Sequence, residues 1–419
     1  MTHQKGLPGH PVLAEEEAWE RVSSEALGHG ARLIAVSNFI ADSRVYRLGD
    51  TVAKIRRRNT RLPDGVASLP GEAQILEAIG WRIDLRRMGD FDVLLEPFLP
   101  GATLAASLAG MPIARRLRVL RRVARALRTL HGRGIAHCDL RLANILIGPS
   151  GGVALVDFDR AVPMSSRGPF WSDWLGVGGH GRSSKPYWKL VMYTLLPRME
   201  SIGQRIRAIR RRSRPITTDP PMDETGQLLA AAWEVAARSG ANAPGQHLAY
   251  YSFSYRGIHL PGERPWELRW EAIRTNVNIR GKRVLELGCN MGLLSINAVL
   301  HGASSAVGVD RDRDIIDAAR LAATAFGTDV DFRQVDIVRD PAWEGRLDGA
   351  DLVVAMSLLH WLPDPDRLLK FLGRHSEVLY EGHDSLVVET ARLRSVGFTT
   401  IRDLGSTERG RTLLYATRS

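Results

Sequence analysis

Three side chains suited to handling a metal and a proton fall close together in this 419-residue chain. Asp139 and Asn144 lie in the run His137-Cys138-Asp139-Leu140-Arg141-Leu142-Ala143-Asn144, and Asp157 lies in Val156-Asp157-Phe158-Asp159-Arg160. Phosphoryl transfer asks little covalent chemistry of a protein; it requires a positioned nucleophile, cations across the phosphates and a positive side chain on the nucleotide. Asp139 is the candidate to orient or deprotonate an acceptor hydroxyl, and Asn144 and Asp157 are the candidates to hold Mg²⁺. Lys54, in Thr51-Val52-Ala53-Lys54-Ile55, would reach the phosphates of ATP from a strand, with Glu72 pairing it from a helix. The stretch from Leu94 to Gly101, which includes Glu96 and Phe98, would meet the adenine. Asp and Asn also shape turns, but turn formation alone does not call for five such elements in this order.

A second constellation follows. Val284-Leu285-Glu286-Leu287-Gly288-Cys289-Asn290-Met291-Gly292 reads as a strand ending in an acid and two glycines that open a helix. Glycine there lets the backbone approach a nucleotide-like ligand. Asp310 ends the next strand, where a carboxylate can take ribose hydroxyls, and Asp336 follows the third strand, within reach of an adenine. A carboxylate such as Glu286 would repel a pyrophosphate but suits the ammonium group of S-adenosylmethionine (SAM). Glu286, Gly288, Cys289, Asn290, Gly292, Asp310 and Asp336 are therefore the expected SAM-binding set. His360, in Ser357-Leu358-Leu359-His360-Trp361, is a candidate general base, against the alternative of a ring packed beside Trp361. Arg264 and Arg269 could clamp a phosphate or carboxylate of the substrate.

The elements that must position these residues can be read in the same sequence. Short strands at 33–36, 45–48 and 51–55, a helix over 72–79 and a strand over 93–98 precede the first site. Over 113–130, apolar residues at 113, 117, 120, 124 and 127 predict a helix buried along that face. Prolines 215, 220 and 221 mark a linker. From residue 281 strands alternate with helices, the pattern of a parallel sheet. The expected organisation is a helical lead-in over 1–30, a first domain over 31–197, a basic helix and linker over 198–245, and a second domain over 246–419 with its core at 281–419.

Residues 31 to 195 resemble the protein-kinase-like superfamily, and within it the small bacterial kinases that phosphorylate lipopolysaccharide sugars such as Kdo; the ending Asp157-Phe158-Asp159-Arg160 carries that likeness. Cys138 stands where protein kinases have the arginine that couples them to activation-loop phosphorylation, so the resemblance implies no such switch. The region 37–44 lacks the glycine-rich pattern of the family. Residues 282–419 resemble class I SAM-dependent methyltransferases, with 397–401 and 411–415 as the closing hairpin. The segment 251–269 resembles the lead-in of the tRNA-wobble-uridine alkyltransferases, and also that of the bifunctional kinase-methyltransferases that terminate O-antigen polysaccharides, with the domain order reversed. The resemblance implies a multidomain chain: an N-terminal α+β protein-kinase-like fold with a compact C-lobe and a C-terminal α/β Rossmann-like class I methyltransferase. It further implies ATP, Mg²⁺ and SAM as cofactors and a cell-envelope glycan or glycolipid as acceptor.

The net charge of +11 is concentrated: 113–130 carries seven arginines and no acid, and 198–214 carries seven arginines and one glutamate. An anionic partner is expected at those faces. The 198–214 helix could lie on an anionic membrane surface, and nucleic acid is a further possible partner. Only two cysteines are present, each in a candidate site, which argues against a disulfide framework and for a reducing, cytoplasmic compartment. No apolar run approaches the ~18 residues that a spanning helix needs. Trp171, Trp174, Tyr187 and Trp188 are either a platform for a sugar ring or core, and Asp173 is a candidate brace for the catalytic loop. Two other readings remain open: an RNA-modifying methyltransferase with a degenerate kinase-like module, and a kinase-methyltransferase that tailors a natural product.

Overall fold

The computed structural model describes residues 10–37, 40, 42–60, 62–63, 65–108, 110–164, 173–174, 186–195, 222–239, 249–407 and 409–418. The basic helix expected over 198–214, the prolines of the linker and Trp171 lie outside them, as does part of 37–44. The chain forms two compact units, one of residues 18–213 and one of residues 214–419 together with 1–17.

The first unit opens with an antiparallel sheet of five strands, ordered Arg32–Val36, Ser43–Leu48, Thr51–Arg57, Phe91–Pro97, Asp84–Met88. Asp84–Met88 was not expected from the sequence. It is an almost fully exposed edge strand, so it lacks the apolar alternation that announces a half-buried one. Helix Leu69–Ala78 begins where Ser68 accepts the Gly71 amide and a proline occupies the first turn, and it buries Leu69, Ala73, Ile75 and Leu76. Below it, helix Ile113–Gly132 buries Val119, Leu120, Val123, Leu127 and Leu130, while Ile113 and Leu117 remain 58% and 43% exposed. The buried face is thus rotated from the expected one and starts two turns later. Arg116 explains part of this, since its guanidinium donates to the carbonyls of Met111, Leu108 and Thr194 and fixes the first turn through polar contacts.

The second unit holds a seven-stranded sheet ordered Asp331–Gln334, Ser305–Asp310, Arg283–Leu287, Leu352–Met356, Glu377–Gly382, Thr412–Thr417, Thr400–Ser406. The first five are parallel and Thr412–Thr417 runs antiparallel between its neighbours. Both faces are covered. Val284, Val354 and Leu379 point into one core, and Leu285, Val353 and Tyr380 into another.

The expected boundary at 246 moves. Helix Glu224–Arg238, capped by the Asp223 carboxylate, belongs to the second unit: its Trp233 indole donates to the Tyr251 carbonyl at 2.8 Å, and Ser239 just beyond it donates to Asp312 at 2.9 Å. The sequence reading placed this segment in the linker, because the contact that docks it lies more than 70 residues away in the chain. The 1–30 lead-in is likewise divided, since helix Pro11–Leu27 spans the boundary between units at residue 17.

Candidate active sites

Strand Thr51–Arg57 and helix Leu69–Ala78 bring Lys54 and Glu72 together, the ammonium donating to Glu72 Oε1 at 2.5 Å. Glu96, from the next strand of the sheet, lies 3.7 Å from the same ammonium. Burial works against the Lys54 charge, but Glu72, Glu96 and Asp157 outweigh it and hold the lysine above its ordinary pKa. Glu96 therefore serves Lys54 with its side chain; burial pushes its own carboxyl up, against the pull of that cation. The Phe98 amide donates to the Asp50 carbonyl at 2.7 Å, and Arg47 lies 3.3 Å from the centroid of its ring. Within the stretch 94–101 expected to meet adenine, the Phe98 amide is thus engaged inside the chain.

Asp139, Asp157 and Asp159 each place a carboxylate oxygen within 4.8 Å of the others. Three hard oxygen donors in that space suit Mg²⁺. Asn144 donates to the Asp139 carboxylate at 3.2 Å and to its carbonyl at 3.1 Å, and Arg141 forms an ion pair with the same carboxylate. Asp159 was not singled out as a ligand from the sequence, although the second acid of Asp157-Phe158-Asp159 was the available signal. Burial, then Asp157, Glu72 and Asp139, push its carboxyl up to about 7, a repulsion that a cation would relieve.

The catalytic loop is braced from behind. Asp173 accepts the amides of His137 at 2.8 Å and Cys138 at 2.6 Å, and takes a further contact from His131 Nε2 at 2.8 Å. The Trp174 indole donates to His131 Nδ1, so Nε2 carries the proton toward Asp173. Cys138 (φ 60) and Asp157 (φ 66) are both left-handed, which turns the carboxylates on either side into one space. Trp174 packs against Tyr187 and His131, as core rather than as a sugar platform, whereas Trp188 is exposed.

In the second unit, strand Arg283–Leu287 delivers Glu286 to the start of helix Leu293–Leu300. Glu286 accepts the Ser295 hydroxyl at 2.7 Å and its amide at 3.0 Å, and burial still pushes the carboxyl up to about 7. Gly288 and Gly292 are left-handed (φ 66 and 70), and a Cβ on Gly292 would stand 2.2 Å from the Phe332 ring. The glycine is thus required by the packing of the third strand as well as by ligand approach. Asp310 accepts the Asn290 amide at 3.1 Å and the Asp312 amide at 3.2 Å, which fixes its carboxylate at the strand end. Asn290 Oδ1 is buried with no hydrogen-bond partner among the described residues, an acceptor placed for a ligand. The Cys289 thiol is buried, and burial raises it far above the thiol range, so it lines the site without being a nucleophile. Asp336 accepts the amides of Val338 and Arg339 and so shapes the turn after the third strand. Together these residues fit SAM.

Arg264 and Arg269 are placed differently from expectation. Both are buried and committed to Glu381, at 3.3 and 2.6 Å, so neither is a solvent-facing clamp. Arg264 also donates to the Tyr250 hydroxyl at 2.6 Å, and Arg269 donates to that of Tyr251. Arg411 joins the cluster through Ser357 at 2.5 Å and Glu381 at 3.4 Å. Burial opposes the Glu381 charge, but Arg269 and Arg264 outweigh it and hold the carboxyl below its ordinary value. Glu381 was missed because Arg264 and Arg269, the buried cations it neutralises, lie more than 100 residues upstream. A cavity beside it is lined by Ser357, His360, Glu381 and His383. His360 is exposed there, its ring 4.6 Å from that of His383 and 5.5 Å from that of Trp361.

Residues 19–165 match the family model described as Phosphotransferase enzyme family, and residues 284–382 match that described as Methyltransferase domain. A ubiquinone biosynthesis O-methyltransferase of Marinobacter nauticus is 34% identical over 106 residues, which cover 25% of this chain and 43% of that protein. Another, from Nitrosococcus oceani, is 29% identical over 129 residues, covering 31% and 53%. The chain thus spans about half the length, or less, of the curated relatives it matches. Among solved structures, the N-terminal domain of EvdMO1 with SAH bound is 17% identical, with a TM-score of 0.35 over 48% of this chain and 100% of that one. WbdD is 22% identical, with a TM-score of 0.27 over 33% of this chain and 31% of that one. By its family matches the chain joins an N-terminal phosphotransferase-family domain to a C-terminal methyltransferase domain, two transferase modules in one polypeptide.

Proposed function

We propose that the chain is a bifunctional enzyme that transfers phosphate from ATP to a sugar hydroxyl of a bacterial lipopolysaccharide or other cell-envelope glycan, and methylates the same acceptor with SAM. One observation carries the reading: both constellations keep their charged residues in one polypeptide, Lys54 with Glu72 and three converging carboxylates in one unit, Glu286 and Asp310 in the other. Asn144, Asp157 and Asp159 are the residues that would hold Mg²⁺, which would supply positive charge against the phosphates. Asp139 holds the acceptor hydroxyl and receives its proton; Lys54 stays charged toward the nucleotide. In the other unit, Arg264 and Arg269 are committed to Glu381, and the exposed His360 stands in the wall of the cavity where an acceptor group would enter.

The work of both domains is placed in the cytoplasm, where ATP and SAM are made. Among the described residues no helix is long and apolar enough to cross a membrane. Contact of the 198–214 segment with an anionic membrane surface is part of this proposal. Incubation of the purified chain with γ-labelled ATP, methyl-labelled SAM and cell-envelope glycan tests it. Both labels should enter the glycan, and Asp139→Ala should abolish the phosphate label; a glycan that gains neither label defeats the reading. The named relatives favour a second acceptor, a hydroxyl of a small quinone-like lipid, and methyl label on such a compound without ATP would select it.

A further inference from the structure

Four large apolar side chains are exposed on two segments of the methyltransferase unit whose neighbouring residues line one cavity. Trp361 is 71% exposed, and Leu386, Val387 and Val388 are 42%, 77% and 41% exposed. Trp361 sits between His360 and Leu362, which line the cavity beside Glu381; Leu386 to Val388 sit between Asp384 and Glu389, which line it too. The first group ends the loop after strand Leu352–Met356, and the second opens helix Leu386–Ser395 after strand Glu377–Gly382. Both therefore lie at the carboxyl edge of the parallel sheet, the side on which open α/β sheets bind ligands. Three consecutive exposed apolar residues at a helix start have no folding rationale, since a first turn in water favours polar and acidic side chains. A patch of this kind beside a polar cavity marks a binding surface.

The charges around the patch decide what covers it. Asp364 and Asp366 follow Trp361, and Asp384 before Leu386 is paired with Arg392 at 2.7 Å, so the rim offers an anionic bilayer no excess of positive charge. The cavity wall is mixed, with His360, His383 and Glu381 beside Leu359, Leu362 and Pro365, and Arg411 bound to Glu381. The occupant must combine a polar head with an apolar extension. We propose that the methyl acceptor is an amphiphile whose polar head enters this cavity while its hydrocarbon segment lies across Trp361, Leu386, Val387 and Val388. This rests on the reading of the second unit as a methyltransferase, and it narrows the acceptor from glycans in general to those carrying a lipid.

The test uses the full chain loaded with S-adenosylhomocysteine, titrated calorimetrically with decyl β-glucoside below its micellar concentration and with methyl β-glucoside. Burying much of a ten-carbon chain should make the decyl compound bind at least about tenfold tighter than the methyl one. Val387→Asp and Trp361→Ser, both at exposed positions, should each remove most of that difference while leaving S-adenosylhomocysteine affinity unchanged. Equal affinity of the two glucosides, binding of neither, or variants that bind the decyl compound as tightly as the parent chain would overturn the proposal. So would binding to phosphatidylcholine–phosphatidylglycerol vesicles that Trp361→Ser abolishes while the decyl compound fails to bind, since the occupant would then be a bilayer. Failure to bind S-adenosylhomocysteine at all would instead remove the methyltransferase reading.

Discussion

The Lys54 ammonium and the Glu72 carboxylate meet at 2.5 Å across the interface between a strand and a helix, and Glu72 is fully buried. Glu72→Gln keeps the shape and removes the charge. Lys54 should then lose its strongest partner, and ATP turnover should fall on the order of a hundredfold, as for loss of a residue that positions the phosphates. Steady-state ATP hydrolysis with calorimetric Mg-ATP binding checks this; unchanged turnover would mean the pair is structural.

Asp173 touches no expected substrate, yet it holds the His137 and Cys138 amides and His131. Asp173→Asn offers one acceptor where the carboxylate offers two, and it sets an N–H₂ against a backbone donor. A loss of about 2–3 kcal/mol is expected. Calorimetry should show the transition of the first unit moving down, and phosphate transfer should fall more than Mg-ATP affinity.

Glu381 neutralises two buried arginines, so Glu381→Gln strands them without a counter-charge. The cost should be about 3–5 kcal/mol. Scanning calorimetry with and without SAM identifies the methyltransferase transition, and that transition alone should fall. A variant as stable as the parent would show that the cluster is solvated.

Glu286 is pushed from 4.5 up to about 7 in the folded protein. Between those values the folded chain binds more protons than the unfolded one, so the contribution of this group to stability falls as pH rises through that window, by on the order of a few kcal/mol in total. Glu286→Gln should flatten the decline in melting temperature of the second unit between pH 5 and 7.5. A cationic ligand beside Glu286 favours the charged form, so SAM binding near pH 6.5 should release protons, which titration in buffers of different ionisation enthalpy will detect.

Most of the frame was legible in the sequence because its signals are local. Alternating strands and helices from Arg283 onward, the acid and glycines after Leu285, and the spacing of Asp139, Asn144 and Asp157 each fit within a few turns of chain. What escaped depends on distance or exposure. Glu381 gains its meaning from Arg264 and Arg269, and His383 from His360, contacts that no period of hydrophobicity reports. Ile113 and Leu117 look like core by spacing but face water, because Arg116 pins the helix start through backbone carbonyls. Residues Asp84–Met88 form a strand solely because Phe91–Pro97 supplies the hydrogen-bonding edge.

The order of the seven strands sets a schedule for synthesis. Thr412–Thr417 lies between Glu377–Gly382 and Thr400–Ser406, so an interior strand is the last of the seven to leave the ribosome. Until then the nascent sheet presents Glu377–Gly382 as an open edge, and the Glu381 cluster lacks Arg411. A chain stalled shortly before residue 411 would carry a nearly complete SAM fold with an unpaired hydrogen-bonding edge, the state most exposed to aggregation and most in need of a chaperone.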